Sequence, residues 1–560
     1  MGIALAVPPL AVALVRWWRS VRRRAPLTTD DIAVAKDVLA GMVAEQWRNE
    51  AAIRSLDDPD PMPVQWRLTA RGELIDHPAH VAPGAPPLAG SSDQIAALTK
   101  RFRELRRRRL VIMGGPGTGK TTLAVQLLRE LLATWREDEP VPVLLSVASW
   151  DAKAFPRLHD WLTERLGQDY PALRSPELGA ELPQKLTARG HILPVLDGLD
   201  ELPDAARTAV ITALNRSLSN DDQLILTSRI TEFAQAVRAA GDVLTSAAVI
   251  ESEPLTPTAA VDYLRSCLPA EPGSAWKQIL TRLKTPDHQA GPAAVALAEI
   301  TSTPLGLWLL RTTYIGPDAD PAPLLSNQFV TAAALRAHLF DQTIPALIDR
   351  RRPSNDPAEL FRPRRTHDPE KVRGWLSYLA HHLNHIAADD NQTSTRDFAW
   401  WQLAHRTLNP HTVRLAVGLV GGLVSGIAAG GVTGLADGIV SGLEDGIAGG
   451  LAGGLAASSW LKQTPGFANL TRRPAPLSYL IKGGLVVGLV FGLVVGLIVG
   501  FEHGLVRGLA GGLAAGLVSG FTGMLVAGLI HRVETPTPAD QASTPLITWR
   551  ADRALNLSRT

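Results

Sequence analysis

Cysteine is almost absent from this 560-residue chain, in which Cys267 is the single one. One cysteine excludes an intrachain disulfide and is compatible with a reducing cytosol. The sequence also has no Cys/His cluster with the spacing of a metal site, and no nucleophile elbow around a serine. Basic and acidic residues nearly balance, which leaves a net charge of only +2. A dedicated nucleic-acid binder is normally strongly basic. We therefore expect neither a disulfide scaffold nor a nucleic-acid partner.

A glycine-rich segment carries the strongest chemical signal. Residues 111–122 form an apolar run followed by the pattern G-x-x-x-x-G-K-[ST] and then by helical spacing. The glycines permit backbone conformations in which successive N–H groups surround a phosphate at a helix N-terminus. Lys120 would reach the β and γ phosphates, and the Thr121 hydroxyl would ligate Mg²⁺. The predicted nucleotide-binding residues are Gly114, Gly115, Pro116, Gly117, Thr118, Gly119, Lys120, Thr121 and Thr122.

Acidic residues follow a second apolar run, residues 191–197, as expected for a buried parallel strand that enters a site. Asp197 is predicted to hold the Mg²⁺, directly or through water. Asp200 and Glu201 are predicted catalytic residues that align a water on the γ-phosphate. Three carboxylates in five residues repel one another without a cation, although a solvated acidic turn remains the alternative. Arg229 ends a third apolar run, where a γ-phosphate sensor would lie.

These patterns, in this order, resemble those of NACHT NTPases, which are P-loop ATPases of the STAND class. Residues 197–201 resemble the Walker B motif of the family, and residues 227–229 resemble its sensor 1. Residues 253–257 and 303–309 are similar to the family's helical-domain motifs. The resemblance implies that Pro304 lies against the adenine base.

The resemblance extends over about residues 90–405, and residues 47–66 look like the pre-NACHT segment of bacterial membrane-associated members. It implies a signal-transduction ATPase with slow turnover that binds ATP or ADP with Mg²⁺ and forms homo-oligomers with ATP. The histidine with which related switches sense the β-phosphate is not recognisable in residues 310–400. No sensor repeats follow, so the activating ligand is unknown.

Two other functions stay open for a P-loop protein. One is a kinase or other phosphotransferase, and the other is an NTPase-driven transporter or channel component. The sequence has no N-K-x-D tetrad for guanine, which argues against a Ras-like GTPase. It has no L-S-G-G-Q-like run either, which argues against an ABC-type transporter.

Glycine recurs every fourth residue in two C-terminal arms, from Gly418 to Gly454 and from Gly484 to Gly520. In water each glycine costs a helix about 1 kcal/mol relative to alanine. In lipid the backbone must satisfy its own hydrogen bonds, and small residues at this spacing allow close helix contact. With the flanking apolar residues, each arm covers nearly 50 residues (413–461 and 483–530) and would be roughly 70 Å long as one helix, against a hydrocarbon core of about 30 Å. We therefore expect two membrane hairpins, with Asp437, Glu444, Asp445, Glu502, His503 and Arg507 near their turns.

Basic residues flank and connect the two arms. By the positive-inside rule these connections are cytoplasmic, which keeps the NTPase in the cytosol of an integral membrane protein with lipid as a partner. The N-terminal apolar segment is either an anchor with its N-terminus outside or an interfacial helix. A further basic run, residues 101–109, is expected to be a solvated helix face, with anionic lipid or RNA contact as the alternative.

The predicted fold is therefore an α/β P-loop NTPase with a parallel sheet and α-helical appendages, followed by a multi-span α-helical glycine-zipper membrane region. The expected order is an anchor or interfacial helix (1–24), a pre-NACHT helical segment and linker (25–92), the NACHT core (93–250), helical and winged-helix-like accessory domains (251–412), a membrane hairpin (413–461), a basic cytoplasmic loop (462–482), a second hairpin (483–530) and a cytoplasmic tail (531–560).

Overall fold

The chain divides into two compact units, Met1–Arg396 and Asp397–Thr560. The computed structural model describes residues 29–54, 56, 61–82, 88–170, 173, 182–188, 190–284, 291–316, 319–326, 328–356 and 362–389 of the first unit. Of the second unit it describes residues 466–468 and 504–536, single residues or pairs between 411 and 501, and residue 553. The predicted N-terminal anchor and most of the first glycine arm lie outside these residues.

Fourteen α-helices occur among the described residues of the first unit. Their bounds are α1 Thr29–Arg54, α2 Pro78–Val81, α3 Ile95–Glu104, α4 Lys120–Ala133, α5 Leu158–Asp169, α6 Leu182–Thr187, α7 Asp204–Ser217, α8 Ile230–Ala240, α9 Pro257–Cys267, α10 Ser274–Lys284, α11 Pro292–Thr301, α12 Pro304–Tyr314, α13 Ala332–Arg350 and α14 Pro369–Asp389. Short 3-10 turns cover Gly72–Leu74, Ser92–Gln94, Val147–Ser149, Leu199–Glu201 and Ala322–Leu325.

One seven-stranded sheet forms the centre of the first unit, in the order β2-β1-β7-β3-β6-β5-β4. The strands are β1 Gln65–Leu68, β2 Ala89–Ser91, β3 Arg109–Met113, β4 Val141–Ser146, β5 Ile192–Asp197, β6 Leu224–Ser228 and β7 Ala247–Ser252. The five strands from β7 to β4 are parallel, and β1 and β2 add an antiparallel edge. The mostly parallel sheet predicted for a P-loop NTPase is confirmed.

The parallel strands are buried because helices cover both faces, which is why they appear in the sequence as continuous apolar runs. In β3 every residue is buried, and Val111 lies opposite Leu226 of β6 and Val249 of β7. The carboxyl ends of β3, β5 and β6 meet at one edge of the sheet. In open α/β sheets this edge is where ligands bind.

The segment before the P-loop is part of the same sheet. Trp66 of β1 is completely buried, and its Nε1 donates a hydrogen bond to Ser92 Oγ at 2.8 Å. A linker was expected up to residue 92, but Ala89–Ser91 forms β2 and pairs with β1. The predicted domain boundary at residue 92 therefore cuts across one sheet. Three edge residues of β2 carry too little sequence pattern to distinguish a strand from a linker.

The basic run 101–109 ends in the core rather than in solvent. Arg109 opens β3 with 0% exposure, and its guanidinium donates to the backbone oxygens of Asp222 (3.0 Å), Thr245 (2.9 Å) and Ser219. Burial lowers the pKa of Arg109 to about 10, so the group still carries its charge at neutral pH. Arg109 thus joins the loops below β6 and β7. The expected solvated face is wrong at this residue.

Between Glu253 and Asp389, the described residues form α-helices and one 3-10 turn, and they show no strand of the expected winged-helix type. A search of the described part of the chain finds no single helix long and apolar enough to cross a membrane. One pair, α11 and α12, meets that criterion jointly but is bent by 110°.

In the second unit, glycines of two helical stretches face each other. The helix α15, Leu505–Val533, follows Gly504, whose φ of +89° lies in the left-handed region. A Cβ added at Gly488 would lie 2.5 Å from Gly516 O, and one at Gly492 would lie 2.8 Å from Gly512 O. The leucines that follow these glycines are all at least 60% exposed: Leu489, Leu493, Leu497, Leu509 and Leu513. The two backbones therefore touch through glycine while the leucines face outward. A separate antiparallel pair joins β8, Gly466–Ala468, to β9, Glu534–Pro536.

Candidate nucleotide-binding site

The glycine-rich loop turns between β3 and α4 in a conformation that glycine makes possible. Gly117 and Gly119 have φ angles of +72° and +90°, where a side chain would strain the backbone. Thr118 Oγ1 donates to Gly115 O at 3.0 Å and closes the turn. Because α4 begins at Lys120, its first N–H groups lack helical partners and point into the loop. The loop therefore has the geometry of an anion site.

Lys120 is held across this loop. Its Nζ donates to Gly114 O at 3.2 Å and to Gly115 O at 2.9 Å. Burial lowers the pKa of Lys120, whereas the nearby charges of Asp200 and Asp197 act in the opposite direction. The ammonium group thus lies among the predicted catalytic and metal-binding acids, although they come from a different strand.

The predicted magnesium ligands lie side by side. Thr121 Oγ1 donates to both carboxylate oxygens of Asp197, at 3.0 and 3.1 Å. Thr227 Oγ1 donates to Asp197 Oδ1 at 2.5 Å and accepts a bond from Gly198 N at 2.9 Å, which fixes the carboxylate. A hydroxyl and a carboxylate suit Mg²⁺, which usually takes one or two protein oxygens together with phosphate and water. Thr227 belongs to the segment 227–229 that resembles sensor 1, and its role beside Asp197 was not predicted.

The two other predicted catalytic acids lie on the turn after β5. Gly198, with φ +84°, starts the 3-10 turn that contains Asp200 and Glu201. Arg229 Nε forms an ion pair with Asp200 Oδ2 at 2.9 Å, and its Nη1 lies 3.8 Å from Glu232 Oε1. The structure therefore brings Arg229 to the acids, with its charge directed at Asp200. Its proposed role as a γ-phosphate sensor stays a prediction.

Helix α12 covers the loop from the other side. Thr303 caps this helix by accepting a hydrogen bond from Gly306 N, which places Pro304 in the first turn. Leu305 N donates to Gly117 O at 3.0 Å, so the helical region is bonded to the glycine-rich loop itself. A Cβ added at Gly119 would lie 3.9 Å from Pro304 Cγ. Pro304 is thus beside the loop, and its contact with adenine, which the family resemblance implies, stays a prediction.

A cavity of about 490 Å³ lies between the loop and α12. This volume is within the usual range for small-molecule sites, about 300–1,000 Å³. Its lining residues are Arg54, Leu56, Pro61, Met62, Val64, Ser92, Gly117, Gly119, Lys120, Thr121, Thr122, Gln126, Tyr263, Pro304, Leu305, Trp308 and Arg311.

Several of these residues were not predicted. Trp308 and Arg311 follow Pro304 at spacings of four and seven residues, so one face of α12 presents all three. Once Pro304 is assigned to the site, this helical spacing predicts that Trp308 and Arg311 also face it. The other lining residues between α1 and β1 offer no comparable signal, because only the packing of those two elements brings them to the cavity: Leu56, Pro61, Met62 and Val64.

The fold and the site define a class. A mostly parallel sheet with a glycine-rich phosphate loop, a lysine and a Thr-Asp pair at its carboxyl edge belongs to a P-loop NTPase. Residues 108–271 match the family model of the NACHT domain, so the chain contains a NACHT domain, a domain of NTPases. A comparison with curated proteins finds no match.

We expect Lys120→Ala to abolish ATP binding by the full-length chain, because it deletes the cation that faces the phosphates. Isothermal titration calorimetry with ATP and Mg²⁺ measures this loss. Lys100→Ala, which alters an exposed lysine of α3, is the matched control and should bind like the native chain. Retained binding in Lys120→Ala would contradict the assignment of the loop.

Proposed function

We propose that the protein is an ATP-dependent signalling switch of the STAND class, tethered to a membrane, that hydrolyses ATP slowly. NACHT domains are NTPases, so nucleotide binding and hydrolysis agree with the family match. The observation that carries the proposal is the cavity shared by the nucleotide loop and the helical region behind it. A switch needs such a shared surface, because a ligand shifts a conformational equilibrium only through contacts that differ between two states.

A direct hydrogen bond joins the helical region to the glycine-rich loop at the shared surface. Leu305 N donates to Gly117 O, and a Cβ at Gly117 would lie 2.7 Å from Leu305 Cβ. Phosphate bound by the loop would therefore lie beside the first turn of α12. We infer that ATP and ADP favour different positions of the helical region, with ATP favouring an open and oligomeric form.

The proposed chemistry assigns a role to each predicted residue. Lys120 holds the phosphates, and Thr121 with Asp197 holds Mg²⁺, which neutralises phosphate charge when bound. Asp200 and Glu201 orient the attacking water. Slow turnover is supported by the Arg229–Asp200 ion pair, because the guanidinium engages a carboxylate oxygen that would otherwise be available to the attacking water.

Membrane tethering rests on the glycine arms. Helices whose glycine faces touch and whose leucines are exposed place apolar side chains outward, which favours lipid over water. We therefore propose that the arms lie in a membrane, with the NTPase on the cytoplasmic side. We further propose that oligomerisation with ATP brings several such arms together and perturbs the bilayer.

Replacing both distal acids tests the switch. Asp200→Asn combined with Glu201→Gln should bind ATP within about threefold of the native chain, because the glycine-rich loop, Lys120, Thr121 and Asp197, which are predicted to hold the phosphates and Mg²⁺, remain unchanged. Hydrolysis should fall at least about 100-fold, the range for losing general-base catalysis. Phosphate release and calorimetry measure the two quantities, and Asp221→Asn on an exposed loop is the control. Unchanged hydrolysis would contradict the catalytic role and leave the two acids as an ordinary acidic turn.

Single cysteines test the topology, after Cys267→Ser removes the native thiol. Asp445→Cys and His503→Cys are expected to react with an impermeant thiol reagent added outside intact cells, because they lie at the proposed external turns. Ala468→Cys and Pro536→Cys are expected to react only after the cells are permeabilised. External labelling at position 468 would overturn the four-span arrangement.

Dye release from liposomes tests the action on the membrane. With ATP, the hydrolysis-deficient double variant should release dye, because it remains in the ATP form. Adding Gly488→Leu, Gly492→Leu and Gly496→Leu should stop the release, since each leucine would collide with the facing backbone.

The matched control changes the exposed side of the same helical stretch. Leu489→Val, Leu493→Val and Leu497→Val alter three outward residues and should leave dye release in place. Liposomes that stay tight under every condition would reduce the glycine arms to a passive anchor.

A further inference from the structure

A buried arginine from the helical region lines the nucleotide cavity. Arg311 of α12 is 8% exposed, and its Nη1 donates to Tyr263 Oη at 3.1 Å. Its Nε is buried and has no hydrogen-bond partner among the residues that the structure describes. A buried charged group without full hydrogen bonding is costly, so such an atom needs an explanation.

The charges around the cavity indicate the kind of ligand. Arg54, Lys120 and Arg311 all line it, and no carboxylate appears among its lining residues in the described part of the chain. A fourth cation, Arg350, is bonded to the backbone of Arg311: its Nη2 donates to Arg311 O at 2.6 Å. Burial lowers the pKa of Arg350, and the positive charge of Arg311 lowers it further. Cations gathered in this way favour an anion, and phosphate is the anion that the glycine-rich loop already suits.

The position of Arg311 on its helix directs it toward that loop. Pro304, at the first turn of α12, lies beside Gly119, and Arg311 follows seven residues later, about 10 Å along the axis. Side chains of a helix tilt toward its N-terminus. The long arginine side chain therefore leans back along α12 toward the end that contacts the loop.

We propose that Arg311 binds the phosphate chain of the nucleotide from the helical region, facing Lys120 across the cavity. This inference rests on the proposed function, since it presupposes that the cavity takes ATP or ADP. Arg311 is then a nucleotide-binding residue outside the matched NACHT segment, 108–271. Its bond to Tyr263 and the bond from Arg350 connect the phosphates to α9 and to the end of α13. Nucleotide binding thereby draws three helices of this region onto the P-loop.

The test compares Arg311→Gln with the native full-length chain. Glutamine can still bond Tyr263 but carries no charge. Affinities for ATP, ADP and adenosine are measured by calorimetry, and the unfolding temperature is measured without nucleotide. ATP and ADP affinities should fall about 10- to 100-fold, as when one charge-assisted hydrogen bond is lost. Adenosine affinity should change less than about threefold, because adenosine has no phosphate.

A control and a second variant make the result decisive. Arg336→Gln alters an exposed arginine of α13 and should bind all three ligands like the native chain. Arg311→Lys keeps the charge and should lose only about three- to tenfold in ATP affinity, so it replaces Arg311→Gln if that variant unfolds. In whichever variant folds, the loss for ATP relative to the loss for adenosine decides the question.

The outcomes separate this inference from the proposed function. A native chain that binds no ATP overturns the proposed function, and this inference falls with it. A native chain that binds ATP, with an Arg311 variant of equal affinity, overturns this inference alone. Equal losses for ATP and adenosine also overturn it, because the contact would then be to the nucleoside. A lower unfolding temperature with unchanged affinities would show that Arg311 only stabilises the fold, and that too overturns it.

Discussion

The parallel alignment of β3, β5 and β6 is the constraint on which the candidate site depends. It delivers the glycine-rich loop, Asp197 and Thr227 to one edge of the sheet, although long stretches of sequence separate them. Buried Arg109 at the opposite end of β3 bonds to three backbone oxygens and holds the loops there in place. The alignment therefore has support at both ends, and small displacements of the strands would separate Thr121 from Asp197.

The parts predictable from sequence are those whose signal is local. A phosphate loop requires glycines with a lysine at fixed spacing, and a buried parallel strand requires a short apolar run, so the NTPase core could be recognised directly. The order of the motifs indicated the family, because the same order is found in NACHT NTPases. That resemblance in turn predicted that Pro304 belongs to the nucleotide site. Only the roles of the individual residues go beyond what such patterns determine.

Other features depend on packing and left no comparable trace in the sequence. A basic run looks solvated until a sheet buries one of its members, as happens at Arg109. Strand β2 has only three residues and becomes recognisable only through its partner β1. In the sequence, Arg311 cannot be distinguished from any other helical arginine. Only the position of α12 beside the cavity shows that it lines the site. In each case the interaction that fixes the position of the residue or strand joins segments far apart in sequence. A periodic sequence pattern reports only on neighbouring residues, so it does not reveal such an interaction.

The glycine contacts of the second unit have a consequence for how that pair of helices is aligned. Gly488 faces Gly516, and Gly492 faces Gly512, so each contact is four residues further along one helix and four residues back along the other. Sliding one helix by four residues, about 6 Å, replaces each glycine pair with another glycine pair. The repeat alone therefore permits several registers with the same backbone contact. Gly504, whose left-handed backbone conformation precedes α15, favours one of them, and in this respect it sets the alignment of the two helical stretches.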